Sequence, residues 1–138
     1  MLRWRDVRDL IDALDLWTTT EPYRGFPCST IAWRLVPALQ HKQYRLYRDT
    51  AGFPRGFISW AFMTKAEFET REYYGPEIFA RKEGELLVFV DMIAPHGQHD
   101  VLLICRDMRK HFKEHHPEVE MAVAHRGPRT GVFPNIGG

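Results

Sequence analysis

The sequence predicts a mixed α/β fold, a mostly antiparallel sheet flanked by helices. Three observations point there. "QYRLYRD" and "RGFISWAFM" carry aromatic and β-branched residues on either side of the turn residues "TAGFP", a β-hairpin pattern. "LLVFVDMI", "HDVLLICRDMRKHFKEHHP" and "EVEMAVAH" then form a strand–helix–strand unit. The first strand of that unit is continuously apolar up to Asp91, the pattern of a strand buried on both faces.

The remaining elements follow in chain order. "RDVRDLIDALDLW" places Val7, Leu10, Ile11, Leu14 and Trp17 on one helical face. "TTTEPYRGFP" breaks that pattern with Pro22, Gly25 and Pro27. "CSTIAWRLVPALQHK" resumes helical spacing at Ile31, Leu35, Ala38 and Leu39, with Ser29 or Thr30 able to cap its start and Pro37 set to kink or end it. After the hairpin, "TKAEFETREYY" predicts a short helix from Thr64, with Glu67 completing a capping box. "GPEIFARKEGE" is expected to be loop. The helix after Asp91 carries its apolar stripe at Val101, Ile104, Cys105, Met108 and Phe112, with Pro117 beyond its end. The tail from about residue 126, "RGPRTGVFPNIGG", is expected to be irregular.

With 138 residues the chain is read as one domain, 1–138, long enough to bury a core. A net charge of +1 gives no strong field for nucleic acid or a membrane surface. Arg106, Arg109, Lys110 and Lys113 are expected to form a solvated helix face. The charged N-terminal stretch is unlike the apolar core of a signal peptide, and no apolar run approaches spanning length. A cytoplasmic protein without an integral membrane segment is expected. Cys28 and Cys105 lie far apart and make no metal-ligand spacing, so reduced thiols are the default.

Asp91 is the outstanding candidate for chemistry. A carboxylate in an apolar strand costs several kcal/mol unless it is paired or hydrogen-bonded, roughly as for other buried charges. It is either a general base or its orienter, or a structural aspartate capping a turn. His96 and His99 follow it around Gly97, as catalytic partners or as inert loop residues. His111 and His115 have a spacing that can bind zinc, but no HExxH motif or third ligand accompanies them, and a solvated helix end is the simpler reading. Cys28, near a helix N-terminus, is either a nucleophile or a packing residue. Trp17, Tyr23, Phe26, Tyr73 and Tyr74 either line an apolar groove or fill the core. GxSxG, P-loop and GxGxxG motifs are absent from the sequence.

Several blocks together carry a resemblance. "EPYRGFPCSTIAWRLVPAL", "QYRLYRDTAGFPRGFISWA", "FVDMIAPHG", "MRKHF" and "VAHRGPRTGVF" follow in order and spacing from about Leu16 to the end. In them the chain resembles the toxin-activating lysine acyltransferases, which fatty-acylate RTX protoxins. The family's C-terminal extension is not matched. The resemblance implies a fold similar to the GNAT acetyltransferases. It also implies transfer of an acyl chain from acyl carrier protein to the ε-amine of a lysine on a target protein, with no bound cofactor and with a homodimer as the plausible assembly. A coenzyme-A donor would call for a glycine-rich phosphate loop, and "APHGQHD" has a single glycine.

The family's catalytic aspartate maps onto Asp91. Its catalytic histidine precedes an Arg-x-aromatic-Pro segment, here "RGFP", and that position is Tyr23. Three arrangements are therefore open. Tyr23 acts as general acid toward the leaving thiolate while Asp91 accepts the amine proton; His96 or His99 replaces the missing imidazole; or the chain is a non-catalytic binding module on the same fold. An acyl-coenzyme-A-dependent N-acetyltransferase is a further alternative. The matched blocks imply substrate-binding positions at Arg24, Ser29, Ser59, Trp60, Pro95 and Gly97, and a metal is not implied.

Overall fold

The computed structural model describes residues 3–71, 75–126, 129–134 and 136–137. Helix α1 (Trp4–Thr19) leads through a short 3₁₀ turn (Tyr23–Gly25) into α2 (Cys28–Gln40). Strands β1 (Tyr44–Arg48) and β2 (Pro54–Met63) form the expected hairpin. Helix α3 (Lys65–Thr70), a second 3₁₀ turn (Pro76–Ala80), β3 (Leu86–Ile93), α4 (Gln98–His115), β4 (Met121–Arg126) and β5 (Arg129–Pro134) follow. The strands lie in the order β1-β2-β3-β4-β5. Every neighbouring pair is antiparallel except β3 and β4, which the α4 crossover makes parallel. This is the mixed sheet that the hairpin and the strand–helix–strand unit predicted.

Local chemistry sets the start of α3, whereas α2 starts behind Pro27 with no side-chain cap from Ser29 or Thr30. The Thr64 hydroxyl accepts from the Glu67 N–H at 3.1 Å, while the Glu67 carboxylate accepts from the Thr64 N–H at 2.9 Å. Helix α2 tolerates Pro37 for three more residues because it falls in the last turn. Two expectations are corrected. Residues 129–134 are not irregular but form β5, paired with β4 from Arg126↔Arg129 to Met121↔Pro134; the Gly- and Pro-rich composition hid an edge strand held by main-chain bonds. Helix α1 buries Ala13, Leu16 and Trp17, while Ile11, expected on the inner face, is 61% exposed.

Helices lie on both faces of the sheet. On one, Ile58, Trp60, Phe62, Leu87 and Phe89 pack against Ile104, Met108 and Phe112 of α4. On the other, Phe57 and Ile93 meet Ala13, Leu16 and Trp17 of α1 and Leu35 and Leu39 of α2. Met63 and Val88 on that same face meet Ala38 and Phe68.

One irregularity in β3 decides where Asp91 points. In the β2–β3 ladder Ser59 pairs with Asp91 and Trp60 with Phe89, which leaves Val90 as an extra residue. Before this bulge, Leu87 and Phe89 face α4. After it the alternation is inverted: Met92 packs on the α4 side and Ile93 on the α1–α2 side. Unbroken alternation would drive the Asp91 carboxylate into the apolar layer under α4. The bulge turns it toward α2 instead.

Candidate active site

Asp91 is 2% exposed and its carboxylate meets the guanidinium of Arg34 on α2. Arg34 Nε lies 3.3 Å from Oδ2, and an Nη contacts Oδ1 directly. The pair is thus bidentate, the geometry in which guanidinium and carboxylate match best. Three aromatic rings support the cation: its Cζ lies 5.2 Å from the centre of Phe26, 5.8 Å from Trp33 and 6.0 Å from Trp17. Sequence reading missed Arg34, one of 19 Lys and Arg residues and 57 positions from its partner.

Tyr23 joins the pair from the 3₁₀ turn. Its ring packs on Trp17 at 4.9 Å and on Phe26 at 5.4 Å between centres. Its hydroxyl donates to the Asp91 carboxylate and accepts from the Met92 N–H. Burial, then the charge on Asp91, holds the phenol well above its ordinary pKa, so it stays protonated. Burial pushes the Asp91 carboxyl up, and Arg34 and the Tyr23 hydroxyl oppose that rise.

Beyond Val88↔Val123 the ladder between β3 and β4 stops, and the space between them opens. Two adjoining cavities occupy that region. The larger, about 430 Å³, mixes apolar walls from Phe89, Val90, Met92, Ala94, Val101 and Phe133 with a polar edge at Gln98. The smaller, about 230 Å³, is lined by Phe26, Arg34 and Arg71 among others. Four residues line both: Tyr23, Phe89, Val90 and His125. His125, on β4, was also missed in the sequence; the only signal was an imidazole near the end of a strand read as structural.

The other sequence-derived positions are scattered. Ser59 lies directly across from Asp91, buried, and its hydroxyl lacks a hydrogen-bond partner among the described residues. Trp60 faces the opposite layer, edge-on to Phe112 at 5.3 Å, and is not brought to Asp91. Arg24 is exposed and pairs with Glu21 at 2.5 Å. Ser29 is exposed in the first turn of α2, behind Cys28, also exposed. Pro95, His96 and Gly97 form an exposed turn; Gly97, at φ 119°, precedes α4, and His96 lines neither cavity. His99 lines a separate pocket with Tyr47, Arg55 and Asp100. His111 packs on Trp60 and accepts from Arg45 at 3.0 Å; burial and that cation lower its pKa to about 4. Tyr73 and Tyr74 lie outside the described residues. No helix among the described residues is long and apolar enough to cross a membrane.

The arrangement is a buried, charge-compensated carboxylate holding a neutral phenol at the meeting point of two cavities of mixed lining. Comparison with known proteins agrees with the resemblance. Three relatives illustrate it. The RTX-II toxin-activating lysine-acyltransferase of Actinobacillus pleuropneumoniae is 30% identical over 102 residues, 70% of this chain and 60% of the relative. The leukotoxin-activating lysine-acyltransferase of Aggregatibacter actinomycetemcomitans is 34% identical over 100 residues, 70% of this chain and 57% of the relative. The protein-lysine myristoyltransferase of Escherichia coli is 31% identical over 103 residues, 72% and 58% respectively. The matched part thus spans less than two thirds of these relatives' length. Residues 5–130 match the RTX toxin acyltransferase family as a whole, and the chain belongs to that family.

Proposed function

We propose that this chain is a protein-lysine acyltransferase that moves a fatty acyl chain from acyl carrier protein to a lysine ε-amine, with an RTX-type protoxin as the acceptor class. The observation that carries the reading is the junction of the two cavities at Tyr23, beside the Arg34–Asp91 pair. The larger cavity, with Phe89, Val90, Met92, Ala94, Val101 and Phe133 on its walls, is the place for the acyl chain, and a lysine reaches the junction through the smaller one, past Arg34 and Arg71. The amine then meets the thioester carbonyl in a water-poor site, where orientation lowers the barrier.

The residues divide the work. Asp91 is closed off and its oxygens are engaged by Arg34 and Tyr23. It is better placed to hold those two groups than to take the amine proton itself. Tyr23, protonated throughout, supplies a hydrogen bond to the sulfur as the C–S bond breaks. A guanidinium has five donor hydrogens, and Asp91 uses only part of that set, so Arg34 retains donors for the developing oxyanion. Acyl carrier protein is favoured over coenzyme A at the start of α4. Asp100 occupies its first turn, bound by Arg55 at 2.9 Å, where a coenzyme-A pyrophosphate would need an anion site.

The test is mass spectrometry of an RTX protoxin after incubation with this protein and acyl-loaded carrier protein. A lysine adduct that is lost in Asp91→Asn supports the reading. Absence of any adduct across several chain lengths would sink it. Saturable coenzyme A binding by calorimetry would transfer the donor role to that cofactor.

A further inference from the structure

We propose that the outward face of α4 is a docking surface for an acidic protein, the body of the acyl carrier protein, a choice of partner that rests on the acyltransferase reading above. Helical geometry sets the face. Ile104, Met108 and Phe112 turn one side of α4 toward the sheet and are fully buried. Arg106, Arg109, Lys110 and Lys113 project from the other side, all exposed. Leu102 and Leu103 continue that side toward the start of the helix, 58% and 44% exposed. Steps of three and four residues join Leu102, Arg106, Arg109 and Lys113 into one ridge, about 16 Å long at 1.5 Å per residue.

The charge on this ridge is not spent inside the molecule. Two acids of α4, Asp100 and Asp107, are engaged by the neighbouring strands. Arg55 binds Asp100 at 2.9 Å, and Tyr47 donates to Asp107 at 2.6 Å with Arg45 3.9 Å away. The side chains of Arg106, Arg109, Lys110 and Lys113, by contrast, form no ion pair or hydrogen bond among the described residues. Four cations against the single carboxylate of Glu114 leave this face three positive charges, whereas the whole chain carries a net +1. Complementing the helix dipole accounts for Lys113 alone, because that effect is confined to the last turn and the other three cations lie before it.

Position and chemistry select the occupant. Gln98, one turn before Leu102, is exposed and lines the larger cavity together with Val101, so the ridge starts at the rim of the cavity assigned to the acyl chain. A carrier protein whose thioester arm enters there rests its body on α4. Acyl carrier proteins are strongly acidic, so their carboxylates meet the four cations while the two leucines supply an apolar centre. The acceptor protein is a poorer match, since no described residue of α4 lines the smaller cavity through which its lysine arrives. A lipid surface is a poorer match too: the apolar stripe of α4 is already packed on the sheet, and two leucines at one end leave little to bury in a bilayer.

The experiment measures binding of fluorescently labelled acyl carrier protein, with and without its pantetheine arm, by anisotropy at low and high salt. Wild type is compared with Arg106→Glu/Arg109→Glu and with Lys65→Glu/Lys82→Glu, which changes the net charge equally on the α3 side of the sheet. The α4 reversal should weaken both forms of the carrier about 10- to 10²-fold and flatten the fall of affinity with salt, while the control pair stays within about twofold of wild type. In acyl transfer from myristoyl-loaded carrier to an RTX protoxin, the same reversal should raise KM for the carrier and leave KM for the protoxin and kcat unchanged. Wild type that binds no carrier, an α4 variant that binds it normally, or equal weakening by the control pair overturns the surface. So does a reversal that raises KM for the protoxin instead, or that abolishes only attachment to anionic phospholipid vesicles. Should the reversal fail to fold, Arg106→Gln/Arg109→Gln decides by the same comparison. Carrier binding through α4 without any adduct would uphold the surface and overturn the acyltransferase reading; adduct formation with carrier binding indifferent to α4 would do the reverse.

Discussion

Replacing Arg34 by Met should cost about 3 kcal/mol of stability at pH 8, at the low end of the roughly 3–5 kcal/mol for stripping one partner from a buried ion pair. The low end applies because the Arg34 side chain is 22% exposed, so water can reach one edge of the hole. The Asp91 side chain, by contrast, is wholly enclosed. Lost contacts of the cation with Phe26 and Trp33 add to the cost, and the methionine sulfur against the same rings offsets part of it. The pH dependence separates this cause from a packing defect. Burial already raises the Asp91 carboxyl, and without Arg34 it rises further. The folded variant then holds a proton that the unfolded chain has released, so its stability falls as pH climbs above about 3.9, the unfolded value, toward the raised folded one. Wild type slopes the same way, less steeply, because Arg34 opposes the rise. Urea unfolding followed by the fluorescence of the four tryptophans, at pH 5 and pH 8, reads both numbers. A second substitution, Asp91→Leu, should recover most of the deficit. A deficit equal at the two pH values, or below about 1 kcal/mol as for an exposed pair, would refute the account.

Tyr23→Phe deletes the hydroxyl that donates to Asp91, and should slow acyl transfer by about 10²-fold while the chain stays folded, as read by adduct formation against circular dichroism. Arg81→Ala removes the 2.5 Å partner that, with the Thr64 N–H, holds Glu67 at about 2. That depressed carboxyl contributes stability above its ordinary 4.5, lost as pH falls toward 2. The gap between Arg81→Ala and wild type in acid unfolding should accordingly close below pH 2–3, and a constant gap would count against the pair. Phe112→Ala, in the fully buried centre of the α4 layer, should cost about 3–5 kcal/mol by chemical denaturation without altering the pH profile of transfer.

Most of the fold was legible in the sequence because it rests on local signals. The capping box at Thr64, the turn after β1 and the apolar stripe of α4 each act within a few residues, and each sits where the pattern put it. What was hidden depends on distant chain. Strand β5 draws its order from main-chain pairing with β4, which composition does not record. The inner face of α1 is chosen by the wall of Phe57, Leu35 and Leu39 that it meets, and that wall takes Ala13 in preference to Ile11. The bulge at Val90 leaves no mark in "LLVFVDMI", yet it decides on which side of the sheet Asp91 emerges. Tyr23 and Asp91 were paired in advance through family resemblance. Arg34 and His125 reach the site only through tertiary structure, one from a helix and one from a strand beyond the crossover.

A tyrosine at position 23, where the family resemblance implies a histidine, is best understood, on the proposed reading, through what burial does to each group. A carboxylate that accepts a proton must stay close to its ordinary pKa and within reach of the donor; one that only orients its neighbours can be sealed. Asp91 is sealed, and the positive charge that makes this tolerable is provided by Arg34, itself braced by three rings. In that setting an imidazole at position 23 would be drawn toward its charged form by Asp91 and away from it by Arg34 and by burial. A phenol escapes the conflict, since it stays neutral and both donates and accepts. The price is that proton acceptance has to move elsewhere. Restoring histidine at position 23 therefore discriminates. If acceptance has moved, Tyr23→His should bring a recovery of rate over wild type only to the extent that the new imidazole stays neutral, and so mainly at pH above about 7. Recovery that is equal at pH 5 and pH 8 would show that the group at position 23 never had to take a proton.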